Sequence, residues 1–365
     1  MKIHEKKTKI QNKAIDIWFK IKRACLVMCT GSGKSKVGVD IITSGYYKNP
    51  LIVVPTEKLR DDRWPEEFAK WGHKSDWVDR ECYASLHKID LNKYDLIVFD
   101  EAHNLTPLNS QNFDNYKGDI LGLTATPPRD EKKKEIFKKY IPIVFEYHLD
   151  EAVKDGVVAP YKINVVQFNL ESKVKTIRIK TKKYDFMSTE RQSYESLSRK
   201  IDQIIFAGKD SKFMALARMR FLYNLETKVK YGIKILNKYM KNDRSIIFAG
   251  SIKQAEKLCK HTFHSKTTDE SYKLFKSGKI NKIGTVNKLN EGADLEGLDS
   301  ALILATNSNP ITLIQRIGRI VRIRDNHQAI IWILCARNTQ EEKWISKATS
   351  QLDSVNINYL NIEDL

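Results

Sequence analysis

Cysteine is sparse and unorganised in this chain of 365 residues. Its five cysteines (Cys25, Cys29, Cys82, Cys259 and Cys335) form no C-x-x-C pair and stand near no histidine at zinc spacing. That excludes a disulfide framework and a structural zinc site as organising features, and the expectation is unpaired thiols in a reducing compartment. No apolar run approaches the roughly 18 residues that cross a bilayer. The N-terminal Met1-Lys2-Ile3-His4-Glu5-Lys6-Lys7 leads into no apolar stretch of the secretory kind. The chain therefore reads as soluble and cytoplasmic, with no membrane partner. Internal repeats and low-complexity tracts are lacking as well. Positive charge is abundant: 63 Lys and Arg against 45 Asp and Glu, a net +18. Such a surplus predicts a polyanionic partner, of which nucleic acid is the commonest.

The length suggests two domains at about 100–200 residues each, each large enough to close its own core. Leu26-Val27-Met28, Leu51-Ile52-Val53-Val54, Leu96-Ile97-Val98-Phe99 and Ile120-Leu121-Gly122-Leu123 are short apolar runs separated by polar, helix-compatible stretches. Runs of this kind suit strands buried on both faces of a parallel sheet, and their alternation with helices predicts an α/β lobe over residues 1–158. Residues 171–245 break the rhythm, are rich in Lys and Arg, and read mostly as helices. It resumes with Ser245–Ala249, Lys282–Val286, Ala301–Ala305 and Ala329–Leu334, giving a second α/β lobe within 159–365 and a hinge near Asp155–Pro160.

After the first apolar run, Thr30-Gly31-Ser32-Gly33-Lys34-Ser35 opens a helix. Glycines let backbone N–H groups turn toward phosphates, and a helix N-terminus adds positive potential. In such a loop Lys34 reaches the β- and γ-phosphates of ATP and the Ser35 hydroxyl ligates Mg2+. Asp100 and Glu101 end the strand Tyr94–Phe99, where ligands bind open parallel sheets. Asp100 is expected to hold the metal through water and Glu101 to position and polarise the attacking water. Gln11 can donate to and accept from an adenine edge. Far downstream, Gln315-Arg316-Ile317-Gly318-Arg319-Ile320-Val321-Arg322 supplies a cationic element suited to phosphate.

In this order the motifs resemble those of superfamily 2 helicases and translocases, over nearly the whole chain. Gln11 fits the adenine-recognising glutamine motif and Thr30–Ser35 the phosphate loop, in which the superfamily often lacks the first glycine, here Met28. Val53-Val54-Pro55-Thr56-Glu57-Lys58-Leu59 is similar to the motif that touches the nucleic-acid backbone through residues such as Pro55 and Thr56. Asp100-Glu101-Ala102-His103 is the Asp-Glu-Ala-His motif, with His103 coupling the lobes. Thr124-Ala125-Thr126 is the motif linking hydrolysis to strand binding. Downstream, Ser245–Ser251, Asn287–Asp294 and Gln315–Arg322 resemble the three motifs of the second half. The resemblance implies two RecA-like parallel-sheet lobes with an ATP cleft between them. It implies that Arg319 and Arg322 act as arginine fingers and that Gln315 contacts the attacking water or the Asp-Glu-Ala-His motif. It also implies that Gly292 and Asp294 approach the nucleotide and that Ser251 and Thr285 contact the strand.

Within the superfamily, Asn290-Glu291-Gly292-Ala293-Asp294 and Tyr147–Val158 look most like DNA-directed members: phage UvsW-type helicases, XPB-like repair helicases and restriction-enzyme motors. This favours DNA over RNA. The composition points to a phage or viral member acting in the host cytoplasm with replication, recombination or repair proteins. The alternatives are an RNA helicase remodelling short duplexes and a nucleic-acid clamp switched by ATP. Trp64 and Trp71 are expected to share a helix face, packing the helix on the sheet in preference to stacking on bases.

Overall fold

A computed structural model describes residues 3–128, 130–180, 184–286, 295, 297–307, 310–321 and 328–365. The chain divides into two compact units, Met1–Ala159 and Pro160–Leu365. No helix among the described residues is long and apolar enough to cross a membrane. All five cysteines are unpaired and buried.

The first unit opens with α1 (Ile3–Ile21), β1 (Arg23–Met28), α2 (Lys34–Ile42), β2 (Pro50–Val54), α3 (Trp64–Lys70) and β3 (Asp79–Cys82). It continues with β4 (Leu96–Asp100), the single turn α4 (Pro107–Ser110), β5 (Asp119–Thr124), α5 (Glu131–Tyr140), β6 (Ile143–Tyr147) and α6 (Leu149–Lys154). Its six strands form one parallel sheet in the order β3-β2-β4-β5-β1-β6. The central strands are buried along nearly their whole length. Alternate residues serve the two faces: Cys25, Val27, Leu51, Val53, Ile97 and Phe99 gather with Phe113, Ile136 and Phe137 into one cluster. Trp18 of α1 is fully buried and its indole N–H donates to the Ile120 carbonyl at 3.1 Å.

The second unit begins with β7 (Tyr161–Phe168), the hairpin strands β8 (Ile177–Lys180) and β9 (Asp185–Ser188), and the helices α7 (Glu190–Phe206), α8 (Lys212–Tyr223) and α9 (Glu226–Lys238). Then follow β10 (Ser245–Phe248), α10 (Ile252–Leu258), β11 (Thr262–Phe263), α11 (Glu270–Lys276), β12 (Lys282–Thr285) and β13 (Ser300–Ile303). The chain closes with α12 (Pro310–Ile320), β14 (Ala329–Ala336), α13 (Gln340–Thr349) and β15 (Ile357–Asn361). Seven strands make a second parallel sheet in the order β11-β12-β10-β13-β14-β7-β15.

The stretch 171–245 holds the helices α7, α8 and α9, preceded by the antiparallel ribbon β8–β9, where Arg178 pairs with Asp185 across the strands. One expectation needs correction. Trp64 and Trp71 do not share a buried face. Trp64 is 2% exposed, whereas Trp71 lies past the end of α3, is 39% exposed and carries the Lys36 ammonium 4.7 Å from its ring.

Two buried charge networks brace the second unit. The Lys228 ammonium, inside α9, meets Glu341 Oε1 and the Leu304 carbonyl, while Glu341 Oε2 accepts from the Ala336 N–H. Glu190, at the start of α7, accepts from the Thr227 N–H and hydroxyl and from the Glu171 N–H. Each network joins helices to the sheet or to each other at groups that burial would otherwise leave unpaired.

Candidate active site

Because β1, β2, β4 and β5 run parallel, their C-terminal ends share one edge of the first sheet. The segments that follow them are Cys29–Gly33, Pro55–Thr56, Glu101–His103 and Ala125–Thr126. Residues scattered between Cys29 and Thr126 thus reach one rim, where open parallel sheets bind ligands.

Gly31 and Gly33 take φ values of +88° and +95°, in the left-handed region that favours glycine. Gly33 is the N-cap of α2, so Lys34 and Ser35 begin the helix. A Cβ at Gly33 would lie 2.1 Å from the Gln11 amide nitrogen. That amide donates to the Ser32 carbonyl at 2.9 Å, and the Ser32 hydroxyl donates to the Cys29 carbonyl at 2.7 Å. Gln11 therefore braces the glycine loop through its nitrogen and leaves its oxygen out of that bond. These links keep the loop in a shape with N–H groups available for phosphate.

Asp100 is buried. Its Oδ1 accepts from the Glu101 N–H at 3.0 Å and its Oδ2 accepts from the Trp64 indole N–H at 3.1 Å. The Tyr83 hydroxyl donates to the Asp100 carbonyl at 2.9 Å. Burial, and next the neighbouring Glu101 charge, push the Asp100 carboxyl up to about 7, against the opposing pull of Lys34 and the Trp64 N–H. Glu101 has φ +50°, a left-handed conformation uncommon outside glycine and concentrated at functional sites.

His103 Nδ1 lies 3.0 Å from Thr124 Oγ1. The Thr124 hydroxyl donates its one proton to the Thr126 carbonyl at 2.9 Å. It must therefore accept from His103, which places the imidazole proton on Nδ1. Burial holds the His103 pKa below its ordinary value. The Asp-Glu-Ala-His segment is thus tied directly to Thr124-Ala125-Thr126.

Three buried side-chain oxygens of the first unit have no hydrogen-bond partner among the described residues: Thr30 Oγ1, Glu101 Oε2 and Thr126 Oγ1. All three sit on the loops at this rim. Buried polar atoms are seldom left so, and their grouping fits a polar ligand. Glu101 Oε2 lies 3.4 Å from His103 Nδ1.

In the second unit the predicted residues are less gathered. Gln315 is buried on α12. Arg319 falls on the same helix, but its side chain lies outside the described residues, as do Arg322, Gly292 and Asp294 entirely. Ser251 caps α10 by accepting from the Gln254 N–H at 3.3 Å. Thr285 corrects an expectation: it is fully buried at the end of β12 and its hydroxyl donates to the Phe263 carbonyl at 2.9 Å, so it offers nothing to a strand. Pro55 and exposed Thr56, in contrast, stand at the rim itself. Arg316 was not singled out beforehand. It is buried over the Phe248 ring at 4.7 Å and donates to the Ala305 carbonyl at 2.7 Å, and burial lowers its pKa to about 10. It anchors α12. Trp64 and Tyr83 were also missed as partners of Asp100, since neither lies in a motif.

The chain is a superfamily 2 helicase or translocase, and as such an ATP-using, nucleic-acid-dependent ATPase. Residues 5–90 match the family model described as "Type III restriction enzyme, res subunit", and residues 227–324 match "Helicase conserved C-terminal domain". The chain is 27% identical over 359 residues to the DNA 3'-5' translocase XPB2 of Sulfurisphaera tokodaii, covering 89% of this chain and 80% of that protein. Among solved structures it resembles S. cerevisiae Dbp5 bound to RNA and ADP BeF3, with TM-score 0.61 and 14% identity over 98% of this chain and 90% of that one. It also resembles the ATP-dependent Type ISP restriction-modification enzyme LlaBIII bound to DNA, with TM-score 0.63 and 14% identity over 97% of this chain but 31% of that one. These two structural likenesses establish the RecA-like fold of both lobes.

Proposed function

We propose that the chain is an ATP-dependent DNA helicase or translocase that moves along or remodels DNA. The observation that carries the ATPase half is the rim of the first sheet, where the glycine loop, Asp100-Glu101 and Thr124–Thr126 meet around three unpartnered buried oxygens. DNA is favoured over RNA by the likeness to the archaeal DNA translocase, spread over most of both chains.

Lys34 and the N–H groups of the glycine loop would bind the β- and γ-phosphates. Mg2+ is commonly held by one or two protein oxygens together with substrate phosphates and water; here Ser35 and Asp100 would supply the protein oxygens. When bound, Mg2+·ATP supplies the phosphoanhydride and a cation that neutralises its charge. Glu101, with its open Oε2, orients water and takes its proton. His103 and Thr124 report the state of Glu101 to the Thr126 segment. Arg319 and Arg322 would add guanidinium charge to the γ-phosphate.

Backbone grip needs cations. Residues 171–220 hold thirteen Lys and Arg against six Asp and Glu. The same stretch exposes Tyr184, Phe186, Phe206 and Phe213. Cations interleaved with exposed rings suit a nucleic-acid strand. Phosphate contacts carry no base information, so sequence preference should be small and salt dependence steep. Unpaired buried thiols support a reducing, cytoplasmic setting, and composition supports a phage or viral source with replication, recombination or repair partners.

The decisive experiment compares ATPase rates at one low salt concentration, alone and with single-stranded, duplex and forked DNA and matched RNA, using Lys34→Ala as the blank. Stimulation by DNA, strongest with forks, is expected. Stimulation by RNA alone would reassign the substrate.

A further inference from the structure

We infer that Trp64 is a positioning residue: it orients Asp100 for Mg2+ and links that carboxylate to the strand-binding segment Pro55–Thr56. The linkage half rests on the function proposed above.

Three contacts carry the inference. First, the Trp64 Nε1–H donates to Asp100 Oδ2, while Oδ1 is engaged by the Glu101 N–H. Two donors from different elements therefore fix the plane of the carboxylate, and each oxygen keeps a lone pair. Second, the indole lies against Gly38 of α2, the helix that begins at Lys34. A Cβ on Gly38 would stand 2.8 Å from the ring, so glycine is what lets Trp64 reach both the phosphate-loop helix and Asp100. Third, Trp64 is joined to Thr56 by one continuous helical stretch. The Leu59 and Arg60 N–H groups donate to the Thr56 carbonyl at 3.1 and 3.2 Å. Residues Leu59–Arg63 form a widened turn in which the Trp64 N–H reaches back to the Leu59 carbonyl. Widened turns of this type are rare and occur often at functional sites. A movement of Thr56 upon gripping a phosphate would be delivered by this stretch to the indole, and by the indole to Oδ2. Packing alone does not require the nitrogen: a phenylalanine would fill most of the same space beside Phe68, whose ring centroid is 6.2 Å away.

Trp64→Phe removes the donor and keeps an aromatic ring. Mn2+ binding is measured by electron paramagnetic resonance in the presence of a non-hydrolysable ATP analogue, alongside the ratio of DNA-stimulated to basal ATPase and strand affinity without nucleotide. The expected result is metal binding weakened about tenfold, the scale of a lost hydrogen bond to a charged group. The stimulation ratio should fall while nucleotide-free strand affinity holds. Trp64→His restores a ring N–H and should recover part of both losses; if Trp64→Phe does not fold, Trp64→His decides by the same readings against wild type. Unchanged metal binding and stimulation with only a lower melting temperature would reduce Trp64 to a packing residue and overturn the inference. If no nucleic acid stimulates the wild type, the proposed function fails and the linkage with it. The metal titration still decides the link between Trp64 and Asp100.

Discussion

Glu101 and Glu341 are both mostly buried carboxylates that follow parallel strands, one in each lobe. Glu341 has a donor on each oxygen: Oε1 receives the Lys228 ammonium and Oε2 the Ala336 N–H. Glu101 Oε2 receives no hydrogen bond, although an imidazole lies nearby. Glu190 in the second lobe likewise has a donor on each oxygen. The difference separates structure from chemistry. In Glu341 and Glu190 the donors join separate elements of the fold, whereas the unpartnered oxygen of Glu101, on a left-handed backbone, suits the general-base role proposed for it.

The comparison can be broken most easily at Glu101. Glu101→Gln should lower ATP turnover by about 10²–10⁴-fold, the usual worth of a general base, with nucleotide binding and melting temperature retained. A large loss of stability in this variant would mean that Glu101 serves the fold as Glu341 does.

The mirror experiment is Lys228→Ala. It leaves the buried Glu341 carboxyl without its cation and should destabilise the second lobe by about 3–5 kcal/mol in urea unfolding. Replacing both partners, as Lys228→Met with Glu341→Met, should recover most of that loss. Failure of the double variant to recover would show that the Leu304 carbonyl and Ala336 N–H matter more than the ion pair.

The smallest effect concerns pH. Asp100 sits at about 7 in the folded chain, above the roughly 3.9 of an unfolded aspartate. Its ionisation therefore opposes folding, so the nucleotide-free first lobe should lose stability as pH rises from about 4 to about 7 and level off above. Turnover should follow the opposite course, falling below pH about 7 as protons compete with the metal. Raising Mg2+ should move that inflection to lower pH, as a series of kcat/KM profiles at two metal concentrations would show. An inflection indifferent to Mg2+ would assign the titration to another group.

Much of this architecture can be read without coordinates, because its signals are local. The central strands of both sheets are contiguous apolar runs, since a strand covered on both faces leaves no room for polar residues. The glycine loop and Asp-Glu-Ala-His are contiguous for a similar reason: one loop must present several groups at once. The edge strands β3 and β15 escaped because a one-sided, half-exposed strand carries residues such as Asp79-Arg80-Glu81 and Asn358-Tyr359. The ribbon β8–β9 escaped because its Lys-rich sequence has no buried face to impose a pattern.

By itself, then, the sequence determined the class of fold, the existence of its central strands and the loops that carry phosphate chemistry, all of which depend on neighbours along the chain. Tertiary structure alone decided which buried charges are satisfied. The Trp64 N–H meets Asp100 across 36 positions and Lys228 meets Glu341 across 113. Whether an oxygen is filled or open depends on donors brought to it through space, and no local pattern of residues records that.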